Sequence, residues 1–168
     1  MAQLELYLIR HGIAEDRAKD GRDASRALTD EGIDRLREVA AGLAAIGVRW
    51  DLVLTSPYLR ARQTADVLLR EMGGDRPRLA VTDSLVPDAD VNAVLAELPS
   101  GASDETRVAL VSHEPLMGDL VGHLLGTGTS MPLKKGGVCR IDFEQPPARA
   151  PGTLKWLAPP KLLRKLDG

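Results

Sequence analysis

Leu4-Glu5-Leu6-Tyr7-Leu8-Ile9-Arg10-His11-Gly12 decides how this chain is read. Its first six residues contain no turn former and only one charge, Glu5, which predicts a short strand buried on both faces. The run then gives way to an arginine, a histidine and a glycine. A guanidinium and an imidazole therefore stand together where a buried strand ends. Three later stretches supply comparable parts: Arg26 before Leu28-Thr29, Arg60 in Ser56-Pro57-Tyr58-Leu59-Arg60-Ala61, and His113 in Val111-Ser112-His113-Glu114-Pro115.

The pattern around these stretches alternates between strand and helix. From Gly12 to Ala27 the chain is polar and reads as a loop lying over the first strand's end. Thr29 is placed to cap a helix, with Asp30 and Glu31 in the first turn where the dipole favours acids. Ile33, Leu36, Val39, Ala40, Leu43 and Ile46 then follow at helical spacing up to Gly47. Asp51 to Thr55 is a second strand, and Ser56-Pro57 opens a helix with Ser as its cap and Pro first, running through Met72 to Gly73-Gly74. Arg78 to Val81 is a strand, Asp90 to Leu98 a short helix, and Arg107 to Ser112 another buried strand. Pro115 opens a helix through Leu125 that Gly126 closes. Val138 to Phe143 and Thr153 to Leu157 form two strands whose Pro-rich connection, Gln145 to Gly152, is too short for a crossover helix, so they make an edge hairpin. The tail from Lys161 to Leu166 reads as a short surface helix.

Strands separated by helices of ten or more residues predict an α/β fold. The expected form is a three-layer αβα sandwich with a mostly parallel central sheet and an antiparallel edge hairpin. Ligands of such sheets bind outside the carboxyl ends of the strands. Arg10-His11, Ser56 to Arg60 and Ser112-His113 all fall at such ends.

Bulk properties narrow the function. The chain has 168 residues, which suits one domain, 1–168, and is short for two. Hydrophobic residues make up 43% and charged residues 27%, a globular balance. A net charge of −2 argues against nucleic-acid binding by charge. Cys139 is the single cysteine, so neither an internal disulfide nor a cysteine zinc site is expected. The N-terminal apolar stretch lacks a small-residue cleavage site, and nothing approaches the ~20 apolar residues of a membrane span. The sequence thus predicts a cytoplasmic protein with no membrane partner. With only 3% aromatic residues, a monomer is the expected state.

The three strand ends have a common chemistry. Phosphoryl transfer needs a nucleophile, a charge clamp and a path for the leaving group. A neutral imidazole is a competent nucleophile at pH 7, and histidine can carry a covalent intermediate. His11 is the candidate nucleophile, Arg10, Arg26 and Arg60 the clamp on phosphoryl oxygens, and His113 a second donor to those oxygens. Each has a plainer reading when taken alone: a polar strand end, a solvated helix arginine, a capped histidine. Together at the ends of one sheet they read as a site. Arg62 is expected to be solvated, Cys139 to be core, His123 to have no role, and Gly136-Gly137 to be a turn into a strand. The basic tail residues Lys161, Arg164 and Lys165 are read as a solvated face.

Four segments resemble the histidine phosphatase superfamily: Leu8-Ile9-Arg10-His11-Gly12, Leu28-Thr29-Asp30-Glu31-Gly32, Ser56-Pro57-Tyr58-Leu59-Arg60-Ala61-Arg62-Gln63-Thr64, and Val111-Ser112-His113-Glu114-Pro115. The likeness is greatest to its small SixA-type phosphohistidine phosphatases. It implies a phosphoglycerate mutase-like fold, His11 as phosphoryl acceptor, Arg10 and Arg60 as clamp, His113 as the second pocket histidine and no metal or organic cofactor. Arg26 matches a third arginine of the SixA branch. Larger mutase-like members carry a glutamate proton donor after the third strand. Asp83-Ser84-Leu85-Val86-Pro87-Asp88-Ala89-Asp90 has no glutamate, although Asp83, Asp88 or Asp90 could substitute. An alcohol leaving group needs such an acid, worth ~10²- to 10⁴-fold, whereas a protonated phosphoimidazole leaves as a neutral ring. The expected activity is therefore removal of phosphate from protein phosphohistidine, in a pocket no long insertion caps. A small-molecule phosphomonoesterase and a non-catalytic phospho-ligand binding module are the alternatives.

Overall fold

In a computed structural model the opening run forms β1, Leu4–Arg10, at the heart of a six-stranded sheet. The structure describes residues 3–100, 103–145, 148 and 151–167. β1 pairs in parallel with β4, Arg107–Ser112, and antiparallel with β5, Val138–Phe143. β2, Leu52–Thr55, joins β4 in parallel, and β3, Arg78–Val81, joins β2 in parallel. β6, Thr153–Ala158, closes the other edge antiparallel to β5, giving the order β3-β2-β4-β1-β5-β6. The expected four parallel strands and edge hairpin are both present. Much of the Gln145 to Gly152 connection lies outside the described residues.

Side-chain alternation explains why β1 carries no polar stripe. Leu4, Leu6 and Leu8 point into one core layer and Tyr7 and Ile9 into the other, all at most 1% exposed. The first layer packs against α3, Val91–Glu97, and α4, Leu116–Leu125, through Val94, Leu116, Met117, Leu120, Val121 and Leu124. The second packs against α1, Asp30–Ala45, and α2, Leu59–Met72, through Leu36, Val39, Leu43, Ala61, Ala65 and Leu68. Helices on both faces of one sheet make the three-layer sandwich. Cys139 lies in the first core layer, with no exposed surface.

Two local readings shift. Helix α2 begins at Leu59 rather than Pro57, because the Ser56 hydroxyl accepts from the Tyr58 amide at 3.2 Å and closes a turn ahead of the helix. The C-terminal segment is a single turn, α5, Pro160–Leu163, and it is docked rather than merely solvated. Leu163 is 1% exposed in the second core layer, and a Cβ on Gly42 of α1 would stand 1.9 Å from the Leu163 carbonyl oxygen. Arg164 pairs with Glu38 of α1. No helix among the described residues is long and apolar enough to cross a membrane.

Candidate active site

The carboxyl ends of β1, β2 and β4 lie side by side, and the hydrogen-bond ladder extends one residue beyond the strands themselves. The His11 amide donates to the Ser112 carbonyl at 3.0 Å, and the Ser56 amide donates to the Val111 carbonyl at 3.0 Å. His11, Ser56 and His113 are thus tied to adjacent strands although they lie far apart in sequence. Rigid placement by a sheet suits catalytic groups better than placement by a free loop.

His11 is 6% exposed, and its Nδ1 lies 2.7 Å from the Gly12 carbonyl oxygen. A carbonyl can only accept, so Nδ1 carries the proton and the lone pair of the neutral ring resides on Nε2. The Arg60 Nε–H points at that lone pair from 3.3 Å. Burial pushes the His11 pKa down to about 4, with Arg60, Arg10 and Lys135 acting in the same direction and the Gly12 carbonyl opposing them. The ring is neutral at pH 7.

His113 is 2% exposed, and its ring centroid lies 5.1 Å from that of His11. Burial, then the neighbouring His11 and Arg60, lower its pKa to about 3. Its Nε2 lies 2.8 Å from the Ser56 hydroxyl, and the Tyr58 ring packs edge-on against it at 5.2 Å. Nδ1 of His113 is buried and has no hydrogen-bond partner among the described residues, and the same holds for Nε of Arg10. Two unpaired buried nitrogens in one small region are unusual in a folded protein. The Arg10 guanidinium instead donates through Nη1 to the Leu133 carbonyl at 3.0 Å, in a segment that Glu114 holds by accepting from the Leu133 amide at 2.8 Å.

Arg60 is 5% exposed and reaches into the site from the first turn of α2. Helical spacing then places Gln63 and Thr64 on the same face. Gln63 Oε1 accepts from the Leu28 amide at 2.7 Å, and the Thr64 hydroxyl accepts from the Gly12 amide at 3.1 Å. One turn of α2 therefore fixes both ends of the loop between β1 and α1. Gly32 completes this junction: a Cβ there would meet the Ile13 carbonyl oxygen at 2.2 Å, so only glycine lets α1 approach the loop. Arg62, on the other face, is exposed as expected.

Arg26 stands one residue removed from this cluster. Its Nη1 donates to Asp23 Oδ1 at 2.8 Å and its Nε to the Glu15 carbonyl at 2.6 Å. Asp23 in turn contacts Arg60 through both its carbonyl and its carboxylate. Among the expected residues, the structure gathers His11, His113 and Arg60 into contact, sets Arg10 alongside, and links Arg26 through Asp23. The sequence reading missed Asp23, and it placed Ser56 as a helix cap rather than a partner of His113. Thr64 and Gln63 had a visible signal, the four- and three-residue spacing from Arg60. Asp83, Asp88 and Asp90 are exposed, and the Asp90 carboxylate caps α3 by accepting from the Asn92 amide at 2.6 Å. His123 is exposed on α4. No group of three or more His, Cys, Asp or Glu among the described residues could hold a metal ion.

Residues 6–85 match the family profile of the histidine phosphatase superfamily (branch 1). The chain is 39% identical over 138 residues to an uncharacterised protein of Picosynechococcus, covering 80% of this chain and 82% of the relative. It is 32% identical to the Escherichia coli phosphohistidine phosphatase SixA over 94% of each chain. A solved structure of the protein histidine phosphatase SixA complexed with tungstate superposes with a TM-score of 0.82 at 28% identity, covering 95% of this chain and 99% of that one. With sequence and fold in agreement over nearly the whole length, the chain belongs to the histidine phosphatase superfamily, in its SixA-type group, and is a phosphatase.

Proposed function

We propose that this phosphatase works through a covalent phosphohistidine at His11 and that its substrate is a histidine phosphorylated on a protein. The observation that carries the first half is the 2.7 Å contact of Nδ1 with the Gly12 carbonyl, which leaves Nε2 unprotonated beside Arg60 and His113. A histidine held neutral by burial keeps its lone pair available well below pH 7.

In this reading Nε2 of His11 attacks phosphorus. The new N–P bond forms as the bond to the substrate nitrogen breaks, and the departing ring, protonated beforehand on its other nitrogen, leaves as a neutral imidazole. Arg60 and Arg10 bind the equatorial oxygens, and Nδ1–H of His113, without a partner among the described residues, donates to one of them. Water then attacks the phosphorus of phospho-His11. Its proton passes to the departing inorganic phosphate, and Nε2 recovers its lone pair.

The substrate half rests on the acids. Asp83, Asp88 and Asp90 are exposed, and Asp90 is engaged in capping α3. The carboxylate that does reach the cluster, Asp23, is held below the usual range by Arg26 and Arg60. A group so acidic is a poor proton donor to an alkoxide, and a phosphoimidazole needs none. The Escherichia coli relative, named a phosphohistidine phosphatase, supports the same choice.

The test pairs two substrates with one trap. A phosphohistidine carrier protein should be dephosphorylated far faster than an aryl phosphate, and brief exposure to a labelled phosphodonor should leave acid-labile phosphate on the wild type and none on His11→Ala. A preference for the ester would transfer the substrate to the small-molecule class, and absence of label would remove the covalent mechanism.

A further inference from the structure

Asp23 lies in a short 3-10 turn, Asp23–Ser25, within the loop that covers the end of β1. That loop is clamped at both ends: Ala14 and Leu28 form an isolated antiparallel bridge, the Glu15 amide donates to the Ala27 carbonyl at 2.8 Å, and Gln63 holds the Leu28 amide. The Asp23 side chain is 54% exposed, whereas the Arg60 side chain it meets is 6% exposed. A carboxylate at the rim therefore pairs with a guanidinium on the floor.

The contact has a definite geometry. Nη1 of Arg60 donates to the Asp23 carbonyl at 2.8 Å and Nη2 to the Asp23 carboxylate at 3.1 Å, so Asp23 takes the far end of the planar fork. The Nε–H on the side edge faces His11 Nε2. Rotation of the guanidinium about its stem would break both contacts at once. Arg26 adds nothing to this fork directly; both of its described hydrogen bonds go to Asp23 and to the Glu15 carbonyl.

We propose that Asp23 is a positioning residue of the phosphate site, which holds the far end of Arg60 so that its Nε edge faces His11, and that Arg26 serves the site by holding Asp23. The inference deepens the reading of His11 and Arg60 given above and rests on it. It reassigns Arg26 from a direct phosphate ligand to a support, and it makes the loop between β1 and α1 part of the catalytic apparatus. A preset fork matters because misplacement by about 1 Å of a group aimed at the reacting centre can cost ~10²-fold in rate.

The experiment is a double-mutant cycle of Asp23→Ala and Arg26→Ala, with kcat and KM measured on the phosphohistidine carrier or on an aryl phosphate, whichever the wild type turns over faster. Each single variant should lower kcat/KM by ~10- to 100-fold, mainly through kcat, and the double variant should be no worse than Asp23→Ala by more than ~3-fold, because residues acting through one contact are not additive. Asp23→Asn, which keeps a side-chain oxygen for Arg60 Nη2, should lose less than Asp23→Ala, which keeps only the backbone carbonyl contact. Multiplying losses in the double variant would show that Arg26 touches the phosphoryl group by itself. An Asp23→Ala enzyme as active as the wild type, or more so, would overturn the positioning role. Because the cycle reads coupling on either substrate, an ester preference in the wild type would revise the substrate class and leave this inference standing.

Discussion

Nε2 of His113 and the hydroxyl of Ser56 lie 2.8 Å apart, joining the end of β4 to the residue after β2. Ser56 also accepts from the Tyr58 amide, so its own hydroxyl proton is free to go to His113. A neutral His113 that accepts at Nε2 carries its proton on Nδ1, the nitrogen that has no partner among the described residues. Ser56→Ala should therefore lower kcat by about 10-fold while destabilising the fold by ~1–3 kcal/mol for the unpaired buried nitrogen. Steady-state kinetics and urea unfolding check both halves, and an unchanged kcat would deny Ser56 any part in setting the tautomer.

Arg60 and Arg62 differ by two positions and by everything else. Arg60 is buried against His11, Asp23 and the Tyr58 ring, with its Cζ 5.1 Å from the ring centroid, and Arg62 is exposed. Arg60→Ala should cost ~10²- to 10³-fold in kcat/KM, as expected for loss of one preorganised charge contact. Arg62→Ala should stay within about 2-fold of wild type. Equal losses in the two variants would refute the assignment of the clamp to Arg60.

The histidines set an acid limit. In the unfolded chain both titrate near 6.5, whereas in the fold burial lowers His11 to about 4 and His113 to about 3. Below pH 6.5 the unfolded chain binds protons that the folded chain refuses, so this part of the stability is complete above 6.5 and is lost as pH falls toward 4 and then 3. The loss should reach a few kcal/mol for the pair. The urea midpoint of the wild type should drop between pH 7 and pH 4.5, and that of His11→Gln/His113→Gln should drop less. Ring signals titrating near 6.5 in the ligand-free protein would contradict the lowered values.

Gly42 offers a test of the docked tail. With the Leu163 carbonyl where a Cβ would stand, Gly42→Ala must push α5 off α1. Forced overpacking of this kind costs ~1–3 kcal/mol. Thermal unfolding should register that loss while kcat stays within about 3-fold, since no described hydrogen bond joins α5 to His11, His113 or Arg60. An unaltered melting temperature would mean that the tail gives way without cost.

The legibility of this protein in its sequence depends on the range of the forces involved. The unbroken apolar run of β1, the Thr29 cap and the helical stripe of α1 are local patterns, and the structure repeats them: Leu4 to Ile9 is buried on both faces, Thr29 accepts from the Gly32 amide at 2.9 Å, and α1 spans Asp30–Ala45. The misplaced start of α2 has the opposite cause. Ser56-Pro57 has the residues of a helix cap, but the Ser56 hydroxyl serves the turn and His113, a partner 57 positions away. Asp23 went unnoticed for the same reason. In sequence it is one acid in a polar loop, and only its contact with Arg60, 37 positions on, gives it meaning.

The order of apolar runs and turn residues was enough to specify the α/β sandwich, and the arginines and histidines at three strand ends were together enough to suggest phosphate, because hydrophobic periodicity and residue chemistry are written locally. Which nitrogen of His11 carries the proton, which edge of Arg60 faces it, and what Arg26 grips were decided only by folding. Those facts depend on hydrogen bonds of about 3 Å between side chains and backbone brought together from different strand ends, and direction at that scale has no expression in a linear order of residues.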